Sequence, residues 1–130
     1  MFKNIEELTV YSYENELLQV IMNILNNAKD ELIKIENKEN RFIFIDVYKN
    51  HNFLIIKIKD SAGGIKKEIM DRIFEPYFTT KPTAHGSGLG LFMIKNIIEK
   101  NMGGEVEACN TDIGLSIKIT IPTCSSENTQ

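Results

Sequence analysis

A chain of 130 residues is long enough to bury one core and too short for two. Its 42% hydrophobic and 25% charged residues are those of an ordinary globular domain. A net charge of −3 with no basic cluster argues against nucleic acid as a partner, and no apolar run approaches the roughly 20 residues that cross a bilayer.

The first residues, Met1-Phe2-Lys3-Asn4, lack the apolar stretch of a signal peptide. Cys109 and Cys124 stand far apart with no Cys-x-x-Cys pair, so they read as free thiols in a reducing cytoplasm rather than as metal ligands. The expectation is a cytoplasmic domain that makes no direct membrane contact, with membrane anchoring of a longer parent left open.

Leu8 to Tyr11 reads as a short edge strand, and Ser12 as the N-cap of a helix with Glu14 and Glu16 in its first turn, where the helix dipole favours acids. Leu17, Ile21, Ile24, Ala28 and Leu32 then recur every three or four residues, which predicts an amphipathic helix to about Ile33. Asn37 to Asn40 is a polar break. Phe42 to Tyr48 and Phe53 to Lys59 are β-type runs that read as an antiparallel hairpin around Lys49 to Asn52. Asp60 to Gly64 ends the second strand, and Ile65 to Phe74 predicts a short helix.

Glu75 to Gly90 is the longest stretch without a regular period, and long loops in compact domains are usually functional. Leu91 to Asn101 predicts a further helix, with Gly103 and Gly104 where a C-cap belongs. Glu105 to Asn110 and Leu115 to Ile121 close the fold as a second hairpin. The order predicts an α+β, two-layer sandwich: a mixed, mostly antiparallel sheet with helices packed on one face. Residues 1–122 are expected to form the domain, and 123–130 a flexible polar tail.

Four segments carry chemistry. On the first helix, Gln19, Asn23, Asn27 and Asp30 line up beside the apolar face. Solvated helix faces commonly carry such a stripe. Asparagine is a mediocre helix former, however, and its amide oxygen suits Mg²⁺ without adding negative charge beside a triphosphate. Asp60-Ser-Ala-Gly-Gly-Ile65 follows a strand. It reads either as a plain turn or as a carboxylate accepting a hydrogen bond from an exocyclic amine such as that of adenine, with glycines that let a flat ring approach the backbone. Gly86-Ser-Gly-Leu-Gly-Leu91 opens a helix and so offers backbone N–H groups to an anion. It is neither a Rossmann fingerprint nor a P-loop. The aromatics of Ile73-Phe-Glu-Pro-Tyr-Phe-Thr-Thr-Lys81 are either core or the anchor of a lid, with Thr79, Thr80 and Lys81 near phosphates.

The four segments together, in this order, resemble the N, G1, F and G2 boxes of sensor histidine kinases: Asn23-x-x-x-Asn27-Ala28, Asp60 to Ile65, Ile73 to Lys81, and Gly86 to Leu91. The closing Ile119-Thr-Ile-Pro122 is similar to the usual end of the catalytic, ATP-binding (HATPase) domain, and the resemblance runs from Leu8 to Pro122. It implies the Bergerat fold shared with gyrase, a heat-shock chaperone and mismatch-repair ATPases. It also implies an ATP-dependent protein histidine kinase of a bacterial two-component system.

Carried over, Asn27 is the Mg²⁺ ligand and Asn23 a phosphate-side contact, the two counted as catalytic together with Lys81. Asp60 recognises the adenine amine, with Gly64 and Ile65 beside the base. Phe74, Phe78 and Lys81 hinge or cover the lid, and Thr79 and Thr80 sit near phosphate. Gly86, Gly88, Leu89 and Gly90, leading into Leu91, hold the phosphates. Asp30, also on the nucleotide side, stands where many kinases have a lysine, which leaves Lys29, Lys81 and His85 as candidate cations for the γ-phosphate. Ala62 replaces a glycine of the commoner form, Leu115 occupies a slot often held by threonine, and the lid from Lys81 to Gly86 is short.

Asn23 stands where hydrolysing relatives carry a glutamate, and an amide does not take a proton at neutral pH. The acceptor histidine of such kinases precedes an acid on a helix. Here His51 precedes Asn52 and His85 precedes Gly86. The implied partners are therefore a histidine-bearing dimerisation domain outside this chain and a downstream response regulator, with the isolated domain a monomer. The alternatives are a stand-alone ATPase and a regulatory nucleotide-binding module of the same fold.

Overall fold

The computed structural model describes residues 14–76 and 90–123. The strand expected at Leu8–Tyr11 and the Ser12 cap lie outside them. Helix α1 spans Glu14–Leu32, as its periodicity predicts, and buries Val20, Ile24, Ala28 and Leu32 along one side. Past its C-terminus, Arg41 turns back. Its Nε donates to the Ile35 carbonyl at 2.9 Å and its Nη2 to the Ile33 carbonyl at 3.2 Å. A cation thus holds the carbonyls of the turn that follows the helix, near the negative end of its dipole. A single 3₁₀ turn, Lys38–Asn40, occupies the polar break and is capped by Asn37, whose Oδ1 accepts Glu39 N–H at 2.9 Å.

Strands β1 (Ile43–Asn50) and β2 (Phe53–Asp60) pair antiparallel with Asn50 opposite Phe53. The predicted four-residue turn is therefore only His51 and Asn52. β1 runs on to Asn50 because His51 takes a left-handed φ of 58°, which closes a two-residue hairpin compatible with strand twist. The predicted helix over 65–74 shrinks to α2, Lys67–Met70. Lys66 before it is extended. After it, Arg72 N–H reaches Ile69 O and Glu75 N–H reaches Arg72 O at 2.9 and 3.0 Å, i to i+3 bonds that tighten the chain out of α-geometry. Only Ile73 of this segment is buried, so little apolar area holds a longer helix in place.

The helix predicted over 91–101 is α-helical in α3, Gly90–Asn96, and continues as a π turn, Ile97–Asn101. The wider turn brings Ile94, Ile97, Ile98 and Met102 all into the core. It ends as predicted at Gly103, which takes a left-handed φ of 68°, and the Gly104 N–H bonds back to the Ile98 carbonyl at 2.9 Å. Strands β3 (Glu105–Asn110) and β4 (Leu115–Pro122) complete a sheet of order β1-β2-β4-β3. Every pairing among the described residues is antiparallel.

The alternation of the strands makes two layers. Ile45, Val47, Leu54, Ile56, Ile58, Val106, Ile117, Ile119 and Ile121 face α1 and α3. The opposite face sets Asp46 across from Lys57 and Glu107 across from Lys118, opposite charges on a solvent side. This is the α+β sandwich expected, and it places the C-terminal end of β2, the β3–β4 turn and the helices around one side of the sheet.

Candidate nucleotide site

Asp60 is the last residue of β2, and β2 is an inner strand. The side chain is consequently 7% exposed, one of two polar side chains in the described core. Its Oδ1 accepts the N–H groups of Ala62 at 2.9 Å and Leu115 at 3.3 Å. That leaves Oδ2 as the carboxylate oxygen for a ligand's donor. The β3–β4 turn presses directly on this residue: a Cβ on Gly114 would strike the Asp60 backbone carbonyl and stand 2.6 Å from its Oδ1. No side chain larger than glycine's fits there without moving both the β2 backbone and the carboxylate.

The loop after Asp60 is tied down at both ends. The Ser61 hydroxyl accepts Phe42 N–H at 2.7 Å and donates to the Asn40 carbonyl at 2.7 Å, fastening the loop to the start of β1. On the other side, Gly63 N–H donates to the Ile113 carbonyl at 2.9 Å. Asn110 bonds both backbone groups of Ile65, its Oδ1 accepting the N–H at 2.9 Å and its Nδ2 donating to the carbonyl at 2.8 Å. Gly64 has φ +81°, and a Cβ there would stand 2.6 Å from Asn110 Oδ1, so the close approach and the backbone conformation both require glycine. Thr111 shapes the opposing turn: its hydroxyl accepts Gly114 N–H at 3.0 Å and its own N–H donates to Gly114 O at 2.7 Å.

On α1, Asn23, Asn27 and Asp30 are half-buried beside Ile24 and Ala28, while Gln19 is exposed. The start of α3 comes up against this stripe, where a Cβ on Gly90 would lie 3.9 Å from Asn27 Nδ2. The structure thus joins the N-box stripe to the end of the G2 segment. Leu91 and Phe74 pack against the core, and Lys95 Nζ lies 5.6 Å from the centre of the Phe74 ring. Phe74 is therefore partly core, the other reading left open by the sequence. Phe78, Thr79, Thr80, Lys81, Gly86, Gly88 and Leu89, with the alternative cation His85, lie outside the described residues.

Among the described residues no three His, Cys, Asp or Glu side chains cluster to hold a metal. Asn27 and Asp30, one turn apart on α1, carry hard oxygen donors of the kind Mg²⁺ takes. Three contributors to the site escape sequence reasoning: Asn110, Thr111 and Gly114. Their segment carries only the signature of a turn, and the bonds that give it a role reach across the fold.

The family model for histidine kinase-, DNA gyrase B- and HSP90-like ATPases matches residues 12–125. The two-component sensor PprA of Pseudomonas aeruginosa is 32% identical over 119 residues, which is 90% of this chain and 13% of that protein. Sporulation kinase A of Bacillus subtilis is 30% identical over 109 residues, 84% of this chain and 17% of that protein. The nucleotide-free catalytic domain of histidine kinase ThkA has a TM-score of 0.76 and 31% identity, over 92% of this chain and 76% of that one. The chain spans between 12% and 20% of the lengths of such curated relatives. None of the described helices is long and apolar enough to cross a membrane. With its four boxes in order and this sheet-and-helix frame, the chain belongs to the family of histidine kinase-, DNA gyrase B- and HSP90-like ATPases, as an ATP-binding catalytic domain of the sensor histidine kinase type.

Proposed function

We propose that this domain binds Mg·ATP and presents the γ-phosphate to a histidine on a separate dimerisation domain, from which a response regulator takes it, in the cytoplasm. The observation that carries the reading is Asp60: a buried carboxylate at the end of an inner strand, with one oxygen held by two backbone N–H groups and the other available to a ligand's amine. Gly63, with nothing within 4 Å of where a Cβ would stand, leaves room for a flat base beside it. Asn27 would hold Mg²⁺, with Asp30 one turn on along α1 on the nucleotide side. Mg²⁺, when bound, neutralises charge on the phosphates. By the same resemblance, Gly86, Gly88, Leu89 and Gly90 are assigned to the phosphates as backbone N–H donors, and Thr79, Thr80 and Lys81 to the phosphate side.

Asn23 orients a phosphate and does not activate water, because its amide takes no proton at neutral pH. The domain therefore works by positioning and charge neutralisation, and turns over ATP slowly when alone.

The test is a titration of ATP with and without Mg²⁺, followed by incubation with a helical domain bearing a histidine. Micromolar-to-millimolar binding is expected, with acid-labile phosphate on the added domain only. Steady release of inorganic phosphate without any partner would instead assign a stand-alone ATPase. Binding without transfer to any histidine-bearing domain would assign a regulatory module.

A further inference from the structure

Asn110, the last residue of β3, reaches across to the loop that follows β2. Its amide forms a two-bond clamp on one backbone residue, Ile65, with Oδ1 2.9 Å from the N–H and Nδ2 2.8 Å from the carbonyl. The clamp imitates a strand pairing. The amide's orientation follows from its partners, since the Ile65 N–H needs an acceptor and the Ile65 carbonyl a donor. The loop so held contains Gly63 and Gly64, both at positive φ, +95° and +81°, the two residues with the most backbone freedom to lose. The remaining ties between this loop and the β3–β4 turn end on backbone atoms of the turn: Gly63 N–H to Ile113 O, and Leu115 N–H to Asp60 Oδ1. Asn110 supplies the one tie whose turn-side partner is a side chain, among the described residues. The Gly64 backbone passes close enough that any Cβ would strike the Asn110 oxygen.

We propose that Asn110 is a positioning residue for base recognition: it holds the Gly63–Ile65 backbone in the geometry that receives adenine beside Asp60, and so sets the preference for adenine through the loop. This rests on the ATP-binding reading above. A preorganised loop spends none of the binding energy on ordering itself. Without the clamp, the glycine pair must be ordered by the nucleotide.

The test compares the whole chain with Asn110→Ala and Asn110→Asp. The second keeps an acceptor for Ile65 N–H but sets another acceptor against the Ile65 carbonyl. Affinities for ATP and for ITP, which has a carbonyl in place of the 6-amino group, are measured together with backbone amide exchange. Both variants are expected to weaken ATP by about tenfold, the scale of one to two neutral hydrogen bonds. The ATP-over-ITP preference narrows, and exchange at Gly64 and Ile65 speeds up while β4 stays protected. Wild-type preference retained in both variants overturns the proposal. So does an equal loss for both nucleotides with faster exchange throughout the core, which is a purely structural role. Failure of the underlying reading looks different, because the wild-type chain itself then shows no preference for ATP.

Discussion

Replacing Asp60 by Asn and by Ala separates what this side chain does for the fold from what it does for a ligand. Oδ1 accepts two backbone N–H groups, from Ala62 and Leu115, and Oδ2 is the oxygen assigned to adenine. Asp60→Asn keeps an acceptor at the first position and puts an NH₂ at the second, facing a donor with a donor. Loss of a hydrogen bond to a charged acceptor costs about 1.5–3 kcal/mol, which is roughly 10- to 150-fold in Kd. The fold loses much less. The two backbone bonds survive without the help of the negative charge, so the expected destabilisation is about 1 kcal/mol or below. Asp60→Ala removes both functions and leaves two N–H groups without an acceptor at a site 7% exposed, at about 1–3 kcal/mol for each group left unsatisfied. At roughly 4 °C per kcal/mol for a domain of this size, the Asn variant should shift Tm by about 4 °C or less and the Ala variant by about 8 °C or more. The assay is isothermal titration with ATP beside a thermal melt of each variant. An Asn variant with wild-type ATP affinity would refute the assignment of Oδ2. An Asn variant as unstable as the Ala variant would refute the division of labour between the two oxygens.

Gly64→Ala combines a positive φ with a Cβ 2.6 Å from Asn110 Oδ1. It should cost at least about 1–2 kcal/mol and weaken ATP, read by the same titration and melt. Arg41→Ala removes the guanidinium from the carbonyls of Ile33 and Ile35 and should lower stability by about 1–2 kcal/mol in urea unfolding, with ATP affinity unchanged. Arg41→Lys recovers only part of that loss, because an ammonium cannot reproduce the planar fork. Ile98→Ala empties a site with no exposure at the centre of the core and should cost about 2–5 kcal/mol. By contrast, Lys95→Ala loses an ion pair to Glu99 between side chains 41% and 38% exposed and should stay under about 1 kcal/mol.

The sequence by itself determined what depends on a local period. The apolar repeat through Leu17, Ile21, Ile24, Ala28 and Leu32 set the core-facing side of α1, and with it the stripe of Asn23, Asn27 and Asp30, although Val20 rather than Leu17 or Ile21 is the fully buried residue of its first turns. Runs of β-forming residues bounded by turn residues placed the four strands, and the glycine pair ended the last helix where expected. Asp60 was legible as a strand-end carboxylate because a break follows it at once. The lengths of the first hairpin and of α2 were not. They depended on the φ of His51 and on how little apolar surface the 65–74 segment had to bury.

Only the tertiary structure decided how remote segments hold one another. Asn110 is 45 residues from the backbone it clamps, and Ser61 is 21 from the carbonyl it grips. Asn27 and Gly90 meet only because α1 and α3 pack on the same face of the sheet. An asparagine at the end of a strand has the same local pattern whether it faces water or a backbone amide. Its partner is chosen by strand order and register, which bring the β3–β4 turn against the end of β2, and these follow from the burial of the whole core rather than from any window of the chain.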